Sequence, residues 1–157
     1  MPPSRFFYRD AAAPEPTQPL SLGVVALIER EGAVLLERRV DCGRWGLVGG
    51  AVEMNDSLEA ALRREVMEET GLTVSRFSLF GTFSDPSRRI QYPQGDVVRI
   101  VTLAYVVEVE DFGALSLSDE STELRFFPRG ELSRIDIVET HRHIVDAFLT
   151  QPPVVLA

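Results

Sequence analysis

Cysteine is almost absent: Cys42 is the single one in 157 residues, so no disulfide can form within the chain and a cysteine-built metal cage has no support. An excess of positive charge is absent too. With 24 acidic against 16 basic residues the formal net charge is -8, and duplex DNA or RNA would meet no general attraction. No apolar run approaches the roughly 18 to 20 residues needed to span a bilayer, and the N-terminus MPPSRFFYRDAAAPEPTQP lacks the continuous apolar region of a signal peptide. These absences lead to the expectation of a cytoplasmic protein with no membrane and no duplex nucleic acid among its partners. The only two histidines, His141 and His143, stand two apart, on different faces of any helix, so they form no i, i+4 metal pair and are expected at the surface.

What is present fits one folded domain, by length and by its 45% hydrophobic and 25% charged composition. Residues 1–19 hold five of the ten prolines, a composition that resists regular structure, and read as a tail or arm whose Phe6, Phe7 and Tyr8 would dock on this domain or on a second copy. Exchange of such an arm would give a homodimer. The domain itself is expected over 20–150, with a short C-terminal tail at 151–157. LGVVALI and AVLLERR, separated by EREG, read as a strand hairpin. Glycines 43, 46, 49 and 50 mark a sharply bending loop. SLEAALRREVMEET is the clearest helix, with Asp56 as its expected N-cap, Glu59 completing a capping box and Gly71 as its C-cap. LTVSRFSLFGTF, DVVRIVTLAYVVEV and STELRFFP read as strands, SDPSRRIQYPQG as a loop, and IVETHRHIVDAFL as a closing helix with Ile137, Ile144, Val145 and Phe148 on its apolar face. Strands on both sides of a central helix, closed by a second, define an α/β layered domain.

Helical spacing brings Glu65, Glu68 and Glu69 onto one face, where each like-charged neighbour pair costs roughly 0.2–0.5 kcal/mol. Leu58, Leu62 and Val66 form a separate stripe that can anchor the helix while the carboxylates face a cleft. A bare run of glutamates is ordinarily a solvated face. Carboxylates gathered without cysteine or clustered histidine, however, are hard ligands suited to Mg²⁺ or Mn²⁺. Such a cation would offset the repulsion and bridge an acidic protein to an anionic phosphate.

Gly50, Arg64, Glu65, Val66, Glu68, Glu69, Gly71 and Leu72 stand at the spacings of the Nudix box, G-x5-E-x7-R-E-U-x-E-E-x-G-U with U aliphatic. The chain therefore resembles the Nudix hydrolases. It departs at Asp56, where the box has glutamate, and at Val48, where many members have proline. The resemblance implies a Nudix α/β/α sandwich with a mixed β-sheet between helices. It also implies metal-dependent hydrolysis of a pyrophosphate bond in a nucleoside diphosphate derivative by water attack at phosphorus.

By the same resemblance, Glu65, Glu68 and Glu69 would ligate Mg²⁺ or Mn²⁺, one of them serving as or positioning the general base. Arg64 would orient a glutamate, Gly49 would offer its carbonyl to a metal, and Gly50, Glu53 and Asp56 would shape the loop. Glu120 is the expected extra acidic ligand, with Asp119 and Glu123 as rivals. Arg88 and Arg89 are candidates to clamp phosphate, because guanidinium matches its geometry. Trp45 and Tyr92 are candidates to stack a base. The implied partner is a small nucleotide: a nucleoside triphosphate or deoxynucleoside triphosphate, or a nucleotide sugar such as ADP-ribose, ahead of a dinucleoside polyphosphate or capped RNA. Two other readings stand beside it, a non-catalytic Nudix-fold nucleotide-sensing module and an acidic cation-binding domain. The sensing module has no need of intact metal ligands, and the acidic domain does not explain Arg64 or the glycines.

Overall fold

The computed structural model describes residues 2–150; the expected C-terminal tail at 151–157 lies outside the described residues. Along the chain come β1 (Arg5–Phe7), β2 (Ser21–Arg30), β3 (Ala33–Arg39), β4 (Trp45–Gly46), β5 (Val48–Ala51) and α1 (Leu58–Thr70). There follow β6 (Val74–Phe83), β7 (Arg89–Gln91), β8 (Val97–Val109), β9 (Ser121–Pro128) and α2 (Glu139–Leu149). Glu31 and Gly32, at φ 51° and 80°, turn β2 into β3, the two-residue hairpin geometry.

That hairpin stays paired only at its tip, Glu29 with Val34 and Arg30 with Ala33. Beyond it β2 runs parallel to β8, from Ser21 opposite Ile100 to Ile28 opposite Val107, while β3 turns away to pair with β9 and β4. The flanks of the parallel pair are closed by β5 on β2 and β6 on β8, both antiparallel. Alternation along β2 explains its unbroken apolar run. Val24, Ala26 and Ile28 pack with Ala61, Leu62 and Val66 of α1, whereas Val25 and Leu27 pack with Ile144, Val145 and Phe148 of α2. A strand covered on both faces needs apolar residues on both. The expected α/β/α sandwich is the result, and no helix among the described residues is long and apolar enough to cross a membrane.

The N-cap of α1 is Ser57, whose Oγ accepts the Ala60 N–H at 3.0 Å, and not Asp56. Glu59 then falls one position early for a capping box, and Asp56 is free to turn toward Arg64. At the other end Gly71, at φ 73°, donates its N–H to Met67 O. Burying Leu62 and Val66 contributes about 1.5–3 kcal/mol each, several times the cost of an exposed like-charged pair on the same helix.

Three segments expected to be irregular carry short strands. The glycine segment contains β4 and β5, because Gly49 and Gly50 let the chain lie as a strand between β2 and α1. A Cβ at Gly49 would stand 2.8 Å from the Val25 Cα, and one at Gly50 would stand 2.6 Å from both Glu65 carboxyl oxygens. The loop 84–95 contains β7, which pairs β8 on one side and β1 on the other. Phe6 and Phe7 of β1 are buried, and that burial is what orders a proline-rich segment on its own domain.

Candidate active site

A cleft of about 620 Å³ opens between the glycine strand, α1, the outer ends of β2 and β3, and the loop before β9. Of the residues expected at the site, Gly49, Gly50, Glu53, Arg64, Glu65, Glu68, Glu69, Tyr92 and Glu120 line it, as does Asp119, a rival to Glu120. The glutamates do not share one environment. Glu65 and Glu69, four apart, are buried, whereas the Glu68 side chain is 59% exposed.

Arg64 holds the rim together. Its guanidinium donates to Asp56 Oδ2 at 2.7 Å and to Glu65 Oε1 at 2.8 Å, reaches Glu68 Oε2 at 3.5 Å and the Ala51 carbonyl at 3.3 Å, and lies 3.7 Å from Glu53. The hydrogen bond from Arg64 holds the Asp56 carboxyl below the usual range, helped by the Glu53 N–H. Asp56 thus reaches the arginine despite being one methylene shorter than the glutamate of the box.

Deeper in, Glu69 Oε2 accepts the Gly49 N–H at 2.9 Å. Beside it lies a carboxylate that sequence reasoning missed, Glu37, which is buried and accepts the Ser121 hydroxyl at 2.7 Å. Burial, and then the charge of Glu37, pushes Glu69 up to about 10. Burial likewise raises Glu37 to about 7, against the pull of Ser121 and Arg39. Glu65 is also raised by burial, with Arg64 pulling the other way. The signal for Glu37 lay in the period of β3: Leu35 faces the α1 layer, and residues two apart in a strand share a face. Arg39, two further on, enters the cleft by the same rule. Its Nε and Nη2 form a fork with Asp41, both at 2.8 Å. Burial works against its charge, and Asp41 more than offsets that.

Four expected contacts lie elsewhere. Arg88 is 1% exposed and is no phosphate clamp: its guanidinium donates to Phe83 O, Ile100 O, Thr102 Oγ1, Thr140 O and His143 Nε2, at 2.7–3.1 Å. Arg89 donates to Pro14 O at 2.7 Å and so binds the N-terminal arm. Trp45 packs edge-on against Phe127 at 4.9 Å beneath Arg125, and does not line the cleft. Glu123, the other rival to Glu120, pairs with Arg125. Neither histidine is a free surface residue. His141 lines the cleft and accepts the Leu47 N–H through Nδ1 at 2.9 Å, and burial drives its pKa well down. His143 stacks on Tyr8 at 3.9 Å.

Among the described residues no three acidic, histidine or cysteine side chains converge as a ready-made cation site. Glu65 is turned to Arg64 and Glu69 to the Gly49 N–H. The donor chemistry nevertheless fits a hard divalent ion, because Glu37, Glu65 and Glu69 offer carboxyl oxygens whose pKa values are raised chiefly by burial, so that ionising them is unfavourable without a cation.

The profile of the NUDIX domain matches residues 17–148. An ADP-ribose pyrophosphatase of Methanocaldococcus jannaschii is 34% identical over 132 residues, 82% of this chain and 73% of that protein. The nucleoside triphosphatase NudI of Escherichia fergusonii is 31% identical over 122 residues, 73% of this chain and 86% of that protein. A NUDIX hydrolase from Nitrosomonas europaea shares the fold, with a TM-score of 0.68 at 23% identity over 85% of this chain and 72% of that one. The chain belongs to the Nudix family and is a pyrophosphohydrolase of it. Members of this family generally use divalent metal ions and act on nucleotides.

Proposed function

We propose that the protein hydrolyses the pyrophosphate bond of a nucleoside diphosphate derivative with Mg²⁺ or Mn²⁺ bound at Glu65, Glu68, Glu69 and the Gly49 carbonyl, with Glu120 as the ligand from the opposite loop. The single observation that carries this is the buried acid pair Glu37 and Glu69 at the floor of a cleft also lined by Glu65. Unneutralised carboxyls of this kind cost stability unless a cation serves them. Bound there, the metal would neutralise phosphate charge and make a coordinated water more acidic.

The chain's own residues supply the rest. One of the three box glutamates takes the proton of the attacking water, whose oxygen bonds to phosphorus as the P–O–P bridge breaks. Arg64 keeps Glu65 oriented by a charge-assisted hydrogen bond. Arg39, on the other wall of the cleft, meets the phosphate chain, and Tyr92 borders the nucleoside. The substrate class follows the relatives: ADP-ribose, yielding AMP and ribose 5-phosphate, or a nucleoside triphosphate, yielding the monophosphate and pyrophosphate. A cytoplasmic location fits such substrates and a lone cysteine.

The test is Glu69→Gln, which keeps size and removes the charge. Turnover should fall about 100-fold or more, while binding of the nucleotide persists. A near-normal rate in that variant would sink the assignment.

A further inference from the structure

Arg39 reaches the cleft with support from outside the residues matched to the NUDIX domain. Its guanidinium carbon lies 5.0 Å from the centroid of the Phe6 ring. Phe6 belongs to β1, upstream of the matched residues 17–148. It is 3% exposed and packs with Ile90 and Val138, beside Tyr92 and Ile100. Ile90, Tyr92 and Ile100 are themselves cleft wall. Two residues back along the arm, the Ser4 N–H donates to the Asp41 carbonyl at 3.1 Å, and Asp41 is the residue that forks onto Arg39.

The arm is tied down at a distance from the chemistry. Arg89 donates to Pro14 O at 2.7 Å, the Thr17 N–H to Val97 O at 2.8 Å, and Tyr8 stacks on His143. Its register is therefore fixed independently of the substrate. An arginine at a cleft mouth has several rotatable bonds to order when an anion arrives. Here an aromatic face beneath the guanidinium and a carboxylate at its edge order it beforehand.

We infer that Phe6 is a positioning residue for Arg39, its ring face holding the guanidinium toward the cleft where it receives the phosphate chain of a nucleotide. The inference rests on the reading of this cleft as a nucleotide site. Arg39 would attract substrate and transition state alike, so its misplacement raises KM and weakens binding without lowering kcat. The arm thus contributes to affinity through a residue it does not itself contain.

The experiment compares Phe6→Leu, which keeps apolar bulk without a π face, with Phe6→Tyr, which keeps the face. Each is followed by KM and kcat on the preferred substrate, by calorimetric binding of α,β-methylene ADP with Mg²⁺, and by thermal melting. Phe6→Leu should raise KM and the dissociation constant about five- to tenfold, the size expected of a desolvated cation–π contact, with kcat within about twofold. Phe6→Tyr should restore both. A folded Phe6→Leu with unchanged KM and affinity overturns the inference, as does parallel loss of KM, kcat and melting temperature in both variants. If the wild type cleaves no nucleotide yet binds the analogue in a Phe6-dependent way, the hydrolase reading falls and the role of Phe6 stands. If it does not bind the analogue, both fall.

Discussion

At Glu37 the alternation of β3 delivers a second buried carboxyl against Glu69; burial raises the pKa of both, and the charge of Glu37 raises Glu69 further. Glu37→Gln removes one member of that pair and keeps the Ser121 contact. The metal-free protein should melt higher at pH 8 than the wild type, and the gain in melting temperature on adding Mg²⁺ should shrink. An unchanged Mg²⁺ response would separate Glu37 from the cation site. Arg88 makes the opposite case, a buried cation without a carboxylate partner among the described residues, lowered to about 10 by burial. Arg88→Met would strand the Phe83, Ile100 and Thr140 carbonyls, each at about 1–3 kcal/mol. Urea unfolding should register a loss of about 3 kcal/mol or more, while KM of the folded enzyme stays put. These two residues also mark the limits of sequence reading. The box glutamates were legible because their spacing is local to one helix. Glu37 required knowing which face of β3 meets α1, and the fate of Arg88 required knowing that β8 and α2 close over it.

Among the elements, α1 and β5 form the unit that presents the glutamates, and its tolerance is set by Gly50. A methyl group there would press on the Glu65 carboxyl, so Gly50→Ala should cost about 1–3 kcal/mol in denaturant unfolding and lower kcat as Glu65 is displaced. Wild-type stability and rate in that variant would contradict the packing described. The helix was readable to within a residue because its apolar stripe, polar N-terminus and C-terminal glycine agree. Its cap was misplaced by one because Asp56 and Ser57 are both good caps, and the choice between them was made by Arg64, eight residues from Asp56 and in contact with it. β1, β5 and β7 were not legible as strands. Three or four residues carry too little period, and each forms only because a neighbouring strand offers its edge: β7 for β1, β2 for β5 and β8 for β7.

For the molecule as a whole, the acid pair links stability to pH. Glu69 carries a proton in the folded, metal-free state that an unfolded glutamate, near 4.5, has already lost. Between pH 7 and 9 the folded state therefore binds more protons than the unfolded one, and stability falls as pH rises, by at most about 1.4 kcal/mol per pH unit for one proton. The histidines have lowered pKa values and act in the other direction, but only below their ordinary value of 6.5. Urea unfolding in EDTA should show the decline across pH 7–9, and Mg²⁺ should abolish it by taking the place of the proton. At this scale the cleft is proposed to act as a metal-dependent pyrophosphohydrolase site. It is tested most directly by nucleoside monophosphate release from ADP-ribose and from a panel of nucleoside triphosphates, each with Mg²⁺, with Mn²⁺ and with EDTA. Cleavage of one of these classes with either metal and none with EDTA is the predicted result; equal turnover in EDTA, or no release from any substrate, would contradict it.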